Sequence, residues 1–525
     1  MSNWETVVVF VTIFVAITIL GIRAVHWRAG NIYRLTEWGL AGRRIGTTAG
    51  WFLLGGGGLY TANAFISIPG LVFAKGAQGF YTVAYTTLLY PLLFVVLSRF
   101  WIVARHRGYV TAADFVRERF GKTISLLVAL TGILATMPYL AIQIYGIEIA
   151  IAQMGLPVDL ALGIAFLLLL LSTCISGLRA PALMAIIKDI MIIIVLLVAW
   201  IVIPPRLGGL GHIFAIVHQK AIQDPATFSE TLSPVQYSSY TTLILGSALA
   251  FFLYPHMLTA ICSVNSHKVL KRNALLLPFY TLLIGMTALL GYMAIAAGIP
   301  PSPTYETNIA LPALFARFFP AWFAGFAFAA IVICALVPAA IMSIGVANLF
   351  TRNIYREYLR PACNEREEVN VARATSFFVK CGALLFILFI PTTFANNLQL
   401  IGSVWILQTL PAVFIGLYTR WFHRRALVIG WIAGMIVGTW MVIAQHFVSF
   451  YPLGSGTLTI PVYIGFAALM VNLLLTSILT AVIRIFREDH AQDMTSPADF
   501  EARPPAQGAS PIPEMATSRR SLEQV

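Results

Sequence analysis

Charged side chains are scarce in this chain. Asp, Glu, Lys and Arg make up 10% of its 525 residues, against about a quarter in soluble globular proteins. With 59% hydrophobic residues and a mean hydropathy of +0.84, that shortage excludes an ordinary water-soluble domain. Cysteine is sparse too. Cys174, Cys262, Cys334, Cys363 and Cys381 are odd in number and scattered, and no two have metal-ligand spacing, so they read as small apolar residues. There is no Walker loop, no HExxH and no GxSxG, and the glycine pairs precede no strand. The sequence therefore gives no catalytic residue, no resident metal and no cofactor, and it reads as a non-enzyme.

Long apolar runs fill the chain, which makes it an all-α polytopic membrane protein. About thirteen spans are expected, near 7–25, 48–74, 79–101, 123–154, 157–177, 181–203, 238–262, 273–298, 321–350, 374–394, 398–419, 426–446 and 459–484. The first lacks a basic n-region and a cleavage site and reads as a retained span rather than a signal peptide. Net charge is +13. The basic residues gather in alternate loops (Arg28 to Arg44, Arg105 to Arg119, Lys268 to Arg272, Arg352 to Arg366, Arg420 to Arg425), so they set topology and do not imply a nucleic-acid partner. The positive-inside rule then places the N-terminus outside and the C-terminus in the cytoplasm of a bacterial inner membrane. Residues 1–484 are expected to form the membrane domain, and the polar, proline-rich segment 485–525 a disordered tail.

Four consecutive glycines, Gly55–Gly58, interrupt the second span. Lipid cannot replace lost backbone hydrogen bonds, so a broken helix at membrane depth is tolerated only beside a cavity or inside protein. The span at 238–262 is interrupted as well, by Gly246-Ser247 and by Pro255. It lies five spans later and runs the opposite way. Two such breaks fit a five-plus-five inverted repeat, with halves at about 48–203 and 238–419. The half-helix restarting near Leu59–Asn63 would offer free N–H groups to a carboxylate. The one stopping near Leu54–Gly56 would offer carbonyls to a cation.

Several stretches carry a family resemblance: TEWGLAGRRIG at Thr36–Gly46, IPGLVFAKGAQGF at Ile68–Phe80, SGLRAPALMAIIKDIM at Ser176–Met191 and YPHMLTAICSVNSHKVLKRN at Tyr254–Asn273. Over roughly 10–480 the chain resembles the sodium:solute symporter family. Through Ala335–Tyr355 and Leu400–Leu427 it is most similar to the bacterial monocarboxylate permeases. The resemblance implies a LeuT-like fold, with one helix before the repeat and two after, that takes up lactate, pyruvate or a related acid with a cation. It also implies hydroxyl ligands for sodium midway along 321–350. Here the matching positions are Val337 and Pro338, which have none, so sodium and proton coupling both remain open. A different solute (an amino acid or polyol) and a non-transporting sensor are the alternatives.

The expected substrate site comprises Gly56, Gly57, Gly58, Tyr60, Thr61 and Asn63 on the first broken helix and Ser247 on the second. Gln143 joins them, sharing a face with Tyr139 four residues away, with Tyr145 nearby. Trp405 and Gln408 lie three apart on span eleven, which in relatives is an outer gate. Each also has a plain packing reading. Glu148 and Asp189 are candidate ion-coupling residues, because an intramembrane carboxylate marks function by default, and Thr61 joins them because it matches a hydroxyl position of the family the chain resembles. Asp189 matches a family aspartate on the cytoplasmic ion path. Lys188 and Lys380 are expected to snorkel to the inner interface, and His256 to have a structural role. The lipid bilayer and a small-molecule substrate are the expected partners, with the oligomeric state open.

Overall fold

A computed structural model describes residues 4–28, 30–389, 395–454, 459–486 and 493–501. Helix dominates them. Their regular β-structure is one two-stranded antiparallel hairpin, Phe450–Leu453 with Ile460–Tyr463. Among the described residues, ten helices are long and apolar enough to cross a bilayer, or twelve when each of two bent pairs is taken as one span. A further 19-residue helix, Val158–Ser176, lies where the span at 157–177 was expected.

The bundle is built around the helix Ala321–Leu349. The most apolar window of its span is 100% buried, while those of Trp4–His26 and Ile464–Phe486 are 33% and 28% buried, with the rest facing outward. A helix apolar on every side belongs in a core. Small residues let neighbouring backbones approach it closely, as membrane helix pairs require. Gly325 packs on the backbone of Thr6, and Gly345 on that of Pro255-His256.

Both expected breaks exist, each displaced from its glycines. The first pair, Thr47–Leu59 and Asn63–Lys75, bends by 53°. The glycines do not unwind. They form a wide helical turn, Gly55–Leu59, closed by Tyr60 N–H donating to Gly55 O at 2.9 Å, and the chain breaks just after it, at Tyr60–Ala62. The second pair, Pro234–Phe251 and Pro255–Ser263, bends by 48°. Gly246-Ser247 lies inside an unbroken helix, where Gly246 makes room for the Tyr463 ring. The break is at Phe252–Tyr254, and Pro255, lacking an N–H, opens the next half-helix.

One part of the expected tail is ordered. Residues 493–501 lie against the basic ends of several helices. Asp493 pairs with Arg119 (2.8 Å) and Arg420 (3.1 Å), and Asp499 with Arg107 (2.7 Å). The Phe500 ring sits 4.8 Å from the Arg99 guanidinium.

Candidate functional site

The four glycines are buried, and each faces a different element. A methyl group on Gly55 would enter the Tyr280 ring, and one on Gly56 the Asp189 carboxylate. On Gly57 it would meet Ile341 Cδ1, and on Gly58 Met257 and Phe251. Gly56, Gly57 and Gly58 thus serve close packing, and their amides are held within the turn rather than offered to a ligand.

At the break, the polar backbone finds side-chain partners. Ala62 N–H donates to Gln143 Oε1 at 3.0 Å, while Gln143 Nε2 donates to Tyr139 O at 3.3 Å. Thr61 is buried and meets the Tyr139 hydroxyl. Tyr139 in turn stacks edge-on with Tyr254 (5.2 Å) and His256 (5.5 Å) of the second break. The helix Lys122–Gln153 therefore touches both breaks through its Tyr139–Gln143 face. His256 is buried, and neither ring nitrogen has a hydrogen-bond partner among the described residues.

A cavity of about 260 Å³ opens from the side of the loops at 204–237 and 299–320. Exposed Lys75 and Glu306 mark its mouth, and Asn63 and Ser67 line it from the first broken helix. Ser239 and Leu243 line it from the second, and Ser247 continues that helical face one turn deeper. The hydroxyls of Ser67 and Ser247 are buried without a partner among the described residues. Nearby, Tyr305 donates to Glu148 Oε1 at 3.1 Å, so Glu148 ties the loop at 299–320 to the bundle. Burial and the Glu148 carboxylate push the Tyr305 phenol up to about 12.

Several expected site residues point elsewhere. The Tyr60 hydroxyl bonds Thr287 and Leu283 O and packs away from the cavity. Trp405 Nε1 donates to Thr439 at 3.2 Å, and Gln408 Oε1 accepts from Asn472 at 3.2 Å. Both face the last two helices, Arg424–Ala444 and Ile464–Phe486. The opposite face of their helix carries Ser403, whose hydroxyl lies 3.2 Å from that of Tyr254 at the second break. Two residues set a side chain about 200° round a helix from its neighbour, which separates Ser403 from Trp405.

Neither lysine snorkels. Lys380 is buried and donates to Ser376 Oγ at 3.2 Å. Lys188 is fully buried. It lies nine residues into the helix Arg179–Arg206, about 14 Å from its start at a rise of 1.5 Å per residue, beyond the reach of its stem to the interface. Its ammonium donates to Gly56 O, to Tyr60 O at 2.8 Å, and pairs with Asp189 Oδ1 at 3.0 Å. Tyr280 donates to the other Asp189 oxygen at 2.6 Å. Cys334, on the central helix, donates to Tyr60 O at 3.3 Å. Sequence reasoning passed over Tyr280 and Ser403, read Cys334 as a small apolar residue and sent Lys188 to the interface. The available signal was an adjacent Lys-Asp pair about a third of the way along an apolar helix.

Two spans broken in mid-course, joined by a polar core and reached by a cavity from one side, define a secondary transporter. The profile of the sodium:solute symporter family matches residues 38–438, and the chain belongs to that family. It is 46% identical over 483 residues to a monocarboxylate transport permease protein of Rhizobium johnstonii, covering 92% of this chain and 97% of that one. It is 32% identical to the uncharacterized symporter YodF of Bacillus subtilis, over 78% of this chain and 82% of that one. Among solved structures, a Na+-coupled sialic acid symporter in a substrate-bound outward-open state superposes with a TM-score of 0.72 at 17% identity, covering 92% of this chain and 98% of that one. The fold is thus that of the family, a LeuT-like bundle.

Proposed function

We propose that the protein imports a small monocarboxylate, such as lactate or pyruvate, by cation-driven symport across a bacterial inner membrane. The cavity bordered by Asn63, the residue after the break at Tyr60–Ala62, carries this reading, and the name of the Rhizobium relative supports the substrate class. The carboxylate enters past Lys75 and reaches Asn63 and Ser67. It then displaces the Gln143 oxygen from the Ala62 N–H, placed at the positive end of a half-helix. Gln143 Nε2 is freed to donate to the bound acid. The bundle holding both broken helices rocks against the rest, exposing the site to each side in turn. The basic loops favour an outside N-terminus and a cytoplasmic C-terminus.

Purified protein in liposomes should accumulate labelled lactate against its gradient when a cation gradient is imposed. Saturable binding without accumulation would replace this reading with that of a solute sensor.

A further inference from the structure

We propose that Lys188 is the transporter's own coupling cation: its tethered ammonium fills the seat made by the carbonyls of the first broken helix, and the coupled ion is the proton that this amine takes up and releases. The inference rests on the transport reading above and deepens it.

An ammonium has three N–H donors and accepts nothing. Lys188 donates to Gly56 O and Tyr60 O, and its charge pairs with Asp189 Oδ1 at 3.0 Å. The first lies within the wide turn Gly55–Leu59 and the second just after it, so the charge ties the turn to the break. The absence of a side chain at Gly56 is what lets Asp189 approach; a methyl there would overlap its carboxylate. From the facing helix comes Cys334, bonded to the same Tyr60 carbonyl. A free hard cation wants a shell of several oxygens. At this seat the carbonyls are already held by a positive charge that cannot diffuse away. The only part of it that can leave is a proton.

The titratable groups facing Lys188 are few. Asp189 lies on its own helix. Tyr60 comes from the broken helix, with its hydroxyl turned to Thr287. Tyr280 comes from the helix Pro278–Ala296 and donates to Asp189, and Cys334 comes from the central helix. Asp189 is the natural acceptor on the way out. In the cycle, the neutral amine takes a proton from the outer side and becomes the ammonium that pins the turn around a bound anion. After reorientation, the N–H bond breaks and the proton passes through the Asp189 carboxylate to inner water. The amine left behind has lost one donor and its charge, and its grip on Gly56 O and Tyr60 O loosens. One proton and one monocarboxylate cross together, with no net charge moved and no other bond made or broken.

The test uses the full chain in liposomes with labelled lactate. An inward proton gradient without sodium should drive accumulation, and an inward sodium gradient at equal pH should not. Lys188→Gln should lose proton-driven accumulation by about tenfold or more, while exchange of external for internal lactate remains measurable. Lys188→Arg keeps the charge but cannot release the proton, and it should fail to accumulate as well. Sodium-driven accumulation in the wild type, or proton-driven accumulation in either variant, overturns the inference and leaves the transporter reading standing. Should the wild type neither accumulate nor exchange lactate, the substrate reading fails, and thermal melting of the purified protein decides the inference. Melting that varies with pH in the wild type but not in Lys188→Gln, and that sodium does not raise, supports it. A rise with sodium in the wild type refutes it.

Discussion

At the scale of single residues, tolerance to a methyl group differs sharply along the glycine turn. Gly56→Ala drives a Cβ into the Asp189 carboxylate, while Gly57→Ala meets only the flexible tip of Ile341. Overpacking of a tight site typically costs about 1–3 kcal/mol. Gly56→Ala should therefore lower the melting temperature and remove most lactate uptake, and Gly57→Ala should retain most of both. Equal losses would contradict the packing described. The same contacts show why residue roles were only partly legible. Asn63 and Gln143 were singled out because a polar group after a helix break, or on a face next to it, has few uses in lipid, and the structure puts Asn63 on the cavity and Gln143 against the Ala62 N–H. Gln143 turned out to bond backbone, which no pattern of residue types specifies. Lys188 was misread because snorkelling is the common fate of a membrane lysine, and its depth becomes plain only when residues are counted from Arg179.

At the scale of elements, the two half-helix pairs were legible as interruptions but not in register. Glycines mark where another chain comes close as often as where a helix ends, and at Gly55–Gly58 and Gly246 close approach won. Pro255 located its break correctly because a missing N–H and a fixed φ suit a first helical turn. The second break is clamped against the central helix at Gly345, where a Cβ would lie 2.8 Å from the His256 nitrogen and the Pro255 carbonyl carbon. Backbone cannot yield as a side-chain tip does. Gly345→Ala should destabilise the detergent-purified protein and slow uptake. Gly382→Ala, in the open at mid-helix, should be neutral or stabilising by up to ~1 kcal/mol. Melting curves of the two variants compare them directly, and an unchanged Gly345→Ala would show that this contact is dispensable. Trp405 and Gln408 illustrate the limit of periodicity: three residues apart, they do share a face, but spacing alone does not say which neighbour that face meets.

At the scale of the whole molecule, hydropathy and the Lys/Arg pattern were enough for the class, because lipid leaves few ways to satisfy a backbone. The docked segment 493–501 was not legible. It is polar and proline-bearing, and its order comes from arginines brought together by the fold. Burial is the largest single influence and would raise the Asp499 pKa, but the hydrogen bonds from Arg107 and Ser496 and the Arg107 charge together outweigh it and hold the acid below the usual carboxylate range. A depressed acid stabilises the docked state above its free pKa and loses that contribution as pH falls through the folded one. Docking should therefore weaken below about pH 4, and also in high salt, which screens exposed pairs. Hydrogen exchange at residues 493–501, rising under either condition, would report the release, and exchange indifferent to both would assign the docking to Phe500 alone. A different consequence follows from the crowding of Gly55–Gly58 by Tyr280, Asp189, Ile341 and Met257. That stretch of the broken helix has no room to give. A carrier re-engineered for bulkier acids would have to be hollowed out at Asn63, Ser67 and Leu243, where the lining already borders open space.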